Sequence, residues 1–242
     1  MTAMADRPGG SPARLAATRD GWHKVAEHIL ASALYAETGK IGLVPSPGGF
    51  STPAFGADGR FLAVDGTELV AGRAGGSRRA ALTTIRAAAE FAGITPGAQA
   101  EVYRPATRLD LDEPLIIDAD AARVLADWYA LGARALGAFA AVIRGDGPGP
   151  AVLWPEHFDL GITAGAINYG VSPGDAPFPD PYLYVGPHDG PPPGDPAFWN
   201  APFGAARTID QIGTVQAAVA FFADGRARVL ARATAGSQGR TP

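Results

Sequence analysis

The sequence predicts an α+β fold with two clusters of mostly antiparallel strands and about four packed helices. Three observations predict it. Apolar residues make up 47% and charged residues 18% of 242, the balance of a chain that folds around a core. Its 32 glycines and 22 prolines supply more turns than a helical bundle or coiled coil accommodates. Short extended runs cluster between helical stretches rather than alternating with them singly, which argues against a doubly wound parallel sheet.

Residues 1–17 and roughly 233–242 are small, polar and broken by proline or glycine, and read as disordered tails. Between them lies a single domain, 18–232, with subdomains 18–104 and 118–232 as the alternative. The first helix runs from about Arg19 to Glu37. Trp22, Val25, Ala26, Ile29 and Ala33 recur at three- and four-residue spacing, and Gly39 stands where a C-terminal cap belongs. Extended runs follow at Ile41–Val44, Phe50–Phe55, Arg60–Val64 and Thr67–Ala71, the last two joined by the hairpin signal Asp65-Gly66.

A second helix is expected from Arg78 to Ala92, with Leu82, Ile85, Ala89 and Ala92 on one stripe and Gly93 closing it. Ala98–Tyr103 reads as a strand. The third helix starts at Asp118, a good capping residue, and carries Val124, Trp128, Leu131, Ala135 and Val142 on one face. Strands are expected near Ala151–Trp154, Phe158–Thr163, Ala166–Val171 and Tyr182–Val185. The last helix is placed at Thr208, where Thr-Ile-Asp-Gln offers a capping box.

Composition excludes several functions. There is no cysteine, hence no disulfide, thiolate metal site or cysteine nucleophile. Acidic residues exceed basic ones, 24 to 20, so nothing resembles a footprint for nucleic acid. The longest apolar run, Val215 to Ala223, is too short to span a membrane, and the N-terminus lacks a signal peptide's apolar core. A cytoplasmic protein is the expectation. Lys24 and Lys40 are the only lysines, a bias toward arginine that fits GC-rich bacterial coding.

Chemistry-bearing residues concentrate between Trp154 and Gly204. From Val171 to Gly204 stand ten of the 22 prolines together with six aromatic residues. Such a stretch is expected to pack as a stiff, ordered wall. Read functionally it rims a ligand pocket, with Trp154, Tyr169, Tyr182, Tyr184 and Trp199 as surfaces and His157, Asp159, Asn168 and Asn200 as polar contacts. Read structurally, the same aromatics fill the core and the prolines shape loops.

Other constellations carry less. His157 and Asp159 are two apart, and with His188 they would form a two-histidine, one-carboxylate metal set. Gly170-Val-Ser172-Pro-Gly174 has the spacing of a nucleophile elbow, but Pro173 has no N–H for an oxyanion hole. His23 and His28 fall about 140° apart on a helix and so share no metal. His23 faces Glu27, as an exposed pair would. Gly72–Arg79 is expected to lead a strand into a helix N-terminus, an anion cradle at most. Asp110 and Asp112 could share a strand face.

The stretch Trp154, Phe158, Asp159, Leu160, with Gly170–Gly174 and Pro181–Tyr184 following, resembles an uncharacterised actinobacterial family known as a domain of unknown function. The resemblance spans about 50 residues closely. It implies a bacterial, cytoplasmic protein and brings with it no activity, cofactor or catalytic residue.

Three functions follow as expectations. The first is small-molecule binding at a pocket walled by residues 154–204. The second is a metal-dependent enzyme using His157, Asp159 and His188, with Glu156 or Asp175 carrying a proton. The third is a non-catalytic assembly protein. Nothing in the sequence names a cofactor or an oligomeric state.

Overall fold

The computed structural model describes residues 11–192 and 194–238. Among them are two five-stranded antiparallel sheets and four helices, the first interrupted by a π turn: an α+β fold. No helix among the described residues is long and apolar enough to cross a membrane. The chain divides into two compact units, Met1–Ala130 with Val152–Leu160, and Leu131–Ala151 with Gly161–Pro242. A short segment after the first unit's long stretch thus returns to it.

In the first unit, α1 (Pro12–Val25), a π turn (Ala26–Leu30) and α2 (Ala31–Thr38) run on as one helix. It begins inside the stretch expected to be a tail, because a proline in the first turn is already set for helix. Residues 1–10 lie outside the described residues. Gly39 ends the helix at φ 67°, a conformation glycine adopts without strain. The sheet is a meander of β1 (Val44–Ser46), β2 (Gly49–Ser51), β3 (Phe61–Asp65), β4 (Glu68–Arg73) and β5 (Gly76–Ala81).

Two expectations are corrected here. Gly72–Arg79 turns β4 back into β5 rather than opening a helix, so no helix dipole stands over it. The second helix, α3, is confined to Ile85–Ala92, where Thr84 Oγ1 accepts from the Ala87 N–H at 3.1 Å. Residues 98–103 form no strand. The core is aromatic: Trp22 meets Phe50 edge-on at 5.5 Å, and Phe50 and Tyr129 meet Phe158 at 5.3 and 5.7 Å.

The helix α4 (Ala119–Val142) is capped by Asp118, whose Oδ1 accepts from the N–H groups of Asp120 and Ala121. It and β7 (Asp159–Ala164) belong partly to each unit. The second sheet runs in the order β6 (Val152–Trp154), β7, β8 (Ile167–Ser172), β9 (Tyr182–Pro187), β10 (Ala205–Thr208). Thr208 ends a strand instead of starting a helix. Gln211 Oε1 accepts from its N–H, and α5 (Val215–Gln238) begins only after Thr214, whose hydroxyl caps it.

Within the second unit, two glycines let helices approach the sheet. A Cβ on Gly132 of α4 would meet Val171 at 2.4 Å, and one on Gly225 of α5 would meet Val185 at 2.9 Å. Tyr169, Phe139 and Phe222 pack ring to ring at 4.8 to 5.9 Å.

Candidate functional site

The first helix is buried on nearly every side from Trp22 to Leu34, so a charged residue there must be compensated. Glu27 and His28 both stand in the π turn, where the Ala31 N–H bonds back to Ala26 O. The wider turn frees backbone for other partners: His28 O accepts from the Gly97 N–H at 3.0 Å. The Glu27 carboxylate, fully buried, accepts from the N–H groups of Ala106 and Thr107, each at 2.8 Å, and from the Thr107 hydroxyl at 2.5 Å. With that hydroxyl proton spent on Glu27, His28 Nε2–H is the donor to Thr107 Oγ1 at 2.9 Å. Ser32 adds a bond to Thr95 O. Residues 95–107, which have no regular structure, are thereby stitched to the helix, and they present Tyr103.

The β6–β7 turn is held as firmly. Leu153 exchanges both backbone bonds with Leu43 at 2.9 Å. Phe158 has φ 53°, strained for an aromatic residue and costing about 1–3 kcal/mol. Its burial among Phe50, Tyr129 and His23 offsets that, and its carbonyl accepts from the Tyr129 hydroxyl at 2.7 Å. His23 stacks on the ring at 5.0 Å, and its Nε2–H donates to Pro155 O at 2.7 Å. The expected exposed His23–Glu27 pair is therefore wrong, since the turn after β6 covers His23. Burial lowers the pKa of both His23 and His28, against the opposing pull of Glu27.

Between these two structures lies a cavity of about 600 Å³, wholly within the first unit. Its walls are Leu34, Ile41, Gly42, Pro53, Ala54, Val102, Val152 and Trp154, with Thr38 and Lys40 also lining it. Tyr103 and Glu156 complete the lining. Tyr103 Oη and Glu156 Oε2 are excluded from solvent, and neither has a hydrogen-bond partner among the described residues. Burial raises the pKa of Glu156; its own backbone N–H and His157 oppose the rise while Asp159 and Glu27 add to it. Burial also raises the phenol of Tyr103, and the charged groups that act on it, Glu27, Glu156 and Glu101, are all acidic.

Of the residues singled out from sequence, Trp154 and Glu156 line this cavity. His157 is exposed in the β6–β7 turn, and Asp159 opens β7. The others lie in the second unit. Asn168 Oδ1 is engaged by the Thr163 hydroxyl at 2.7 Å and His188 Nε2 at 3.1 Å. Tyr169 is in the core. Tyr182 donates its hydroxyl to Asp175 and packs with Phe178, Tyr184 and Phe203. Trp199 stacks edge-on against Phe198, and the Asn200 amide clasps both backbone groups of Ala206. Of the stretch 154–204, residues 154–160 belong to the first unit and 161–204 to the second. Among the described residues no group of three or more histidine, cysteine or carboxylate side chains gathers as a metal site; His157 and Asp159 belong to the first unit and His188 to the second.

Tyr103 and Ile41 have no site role in the sequence, and Glu27 enters it only as an exposed partner of His23. Glu27 and His28 share the polar flank of that helix with His23 and Lys24, so nothing local marks them as buried. A second groove in the first unit, about 650 Å³, runs past Arg60, Arg73 and Arg78. Arg60 already pairs with Glu37 over the Phe55 ring, and Arg78 lies over Phe91 and donates to its carbonyl. Asp112 is likewise engaged, by both guanidinium arms of Arg86, and Asp110 caps its own turn.

No protein-family model matches the chain, and no solved structure matches it. A stretch of 92 residues, 38% of this chain, is 40% identical to 2-succinyl-5-enolpyruvyl-6-hydroxy-3-cyclohexene-1-carboxylate synthase of Kineococcus radiotolerans. The chain spans 14% of that protein's length.

Proposed function

We propose that this protein binds a small, largely apolar molecule in the cavity between α2, the 95–107 segment and the β6–β7 turn. One observation carries the reading: an apolar cavity of ligand size is lined by a carboxylate and a phenol with unpartnered, solvent-excluded oxygens. A fold tolerates such groups at a cost of about 1–3 kcal/mol each, and a bound ligand's polar atoms would recover it. The supports of the cavity agree with this use. The π turn and the strained Phe158 both hold its lining in place, and each is a device common at functional sites.

A thermal-shift and tryptophan-fluorescence screen of small apolar compounds tests the proposal, with Ala54→Trp as the filled-cavity control. Ala54 is an exposed lining residue where a larger side chain costs the fold little. Compounds that raise the wild-type Tm and lose that effect in Ala54→Trp support the proposal. Ligands that stabilise both proteins equally, or a screen without any ligand, overturn it.

A further inference from the structure

We infer that the ligand of this cavity is an apolar amine: a hydrocarbon body of modest size ending in an ammonium group that meets Glu156 and Tyr103. The inference rests on the reading of the cavity as a binding site and adds the charge of what enters it. Leu34, Ile41, Val152 and Trp154 would surround the hydrocarbon. An ammonium carries three donors and no acceptor, so it can donate to Glu156 Oε2 and to Tyr103 Oη together.

Charge decides between this and the neutral or anionic alternatives. Asp159 and the buried carboxylate of Glu27 act on Glu156, and the charged groups acting on Tyr103 are all acidic, with the Gln99 backbone opposing them. His157 acts on Glu156 in the opposite sense, from an exposed position in the turn. Lys40 also lines the cavity, as an exposed residue of the α2–β1 connection. His28, on the far side of Glu27, is biased toward its neutral form by burial. An anionic ligand would set a second negative charge against Glu156 in a poorly solvated place. An alcohol would satisfy one oxygen while leaving the carboxylate charge uncompensated. The ring of Trp154 offers a cation a further attractive face.

The test uses three probes with one hydrocarbon chain: hexylammonium, 1-hexanol and hexanoate. Each is titrated into the full chain near neutral pH and low salt, with binding read by calorimetry and ligand-observed NMR. Wild type is compared with Glu156→Gln, Tyr103→Phe and Ala54→Trp, each checked for native circular dichroism. Hexylammonium is expected to bind at least about tenfold more tightly than hexanol, a difference of about 1.4 kcal/mol, with hexanoate weakest. Glu156→Gln should erase the preference by weakening hexylammonium far more than hexanol, and Tyr103→Phe should reduce it in part.

Hexanol or hexanoate binding as well as the amine, or an amine preference that survives Glu156→Gln, overturns the inference. The cavity reading then stands if Ala54→Trp abolishes binding of whichever probe is preferred. Should none of the three bind, or should Ala54→Trp bind them as wild type does, both readings fall together.

Discussion

Burial holds the Glu156 carboxyl above the usual carboxylate range, where Asp159 and Glu27 reinforce the rise and His157 resists it. The folded protein therefore binds a proton at Glu156 more tightly than the unfolded chain does. Stability from this group is complete below the unfolded pKa, near 4.3, and is lost as pH rises through the folded value. Glu156→Gln removes the loss. Its Tm should exceed that of wild type by about 1–3 °C near neutral pH, and the two should converge below about pH 4. Scanning calorimetry across that range checks it; a variant less stable than wild type at neutral pH would show that Glu156 is a structural residue instead. At this scale the sequence was read unevenly. Asp118 was legible as a cap because its partners, Asp120 and Ala121, lie within the next three residues. His23 was not, because its cover comes from a turn more than a hundred residues away.

The connection from Thr95 to Thr107 owes its shape to Glu27, since two backbone N–H groups and a hydroxyl end on that one carboxylate. Glu27→Ala should cost about 1–3 kcal/mol, because three donors of the exposed Ala106 and half-buried Thr107 lose their acceptor. Glu27→Gln, which keeps one acceptor oxygen, should cost less. Urea titration gives both values, and hydrogen exchange at Ala106 and Thr107 should rise most in Glu27→Ala. The glycine of α4 makes a second element-scale case. Gly132→Ala should cost about 1–3 kcal/mol, since β-branched Val171 has little room to turn aside. Combined with Val171→Ala it should cost less than the two changes summed, a non-additivity that a double-mutant cycle measures.

Most elements could be read because their signals are local. The strands from Val152 to Pro187 and the long α4 fall close to where periodicity and capping place them. Two misreadings have a shared cause. Arg78–Ala81, rich in arginine and alanine, suits a helix by propensity, but pairing with β4 overrides it. Ala98–Tyr103 suits a strand, yet its backbone bonds within its own turns, directly after Gly97 is tied to the π turn.

For the whole molecule, proton linkage follows from the two histidines whose burial lowers their pKa. Each contributes stability that is fully present above the unfolded value, near 6.5, and is lost as pH falls through the folded one. Acid unfolding should therefore begin below about pH 6.5, before any carboxylate titrates in the unfolded chain. The slope of stability against pH should approach two protons. In His23→Phe, which keeps a ring over Phe158, the slope should fall toward one; an unchanged slope would mean that His23 is charged in the native protein. The candidate site was the part least legible from sequence, because it assembles from three distant stretches: 34–54, 102–103 and 152–156. The region of densest motifs, 154–204, contributes only its first residues.

That the first unit is closed by Val152–Leu160 also gives the molecule a history each time it is made. Its sheet and first helix leave the ribosome early, but Phe50 must wait for Phe158, and the cavity for Val152, Trp154 and Glu156. At about 5–20 residues per second, the interval between Ala130 and Leu160 lasts on the order of a few seconds. During it the nascent chain holds an unfinished core and an unwalled cavity. A ligand can rescue only a chain whose synthesis has passed the β6–β7 turn.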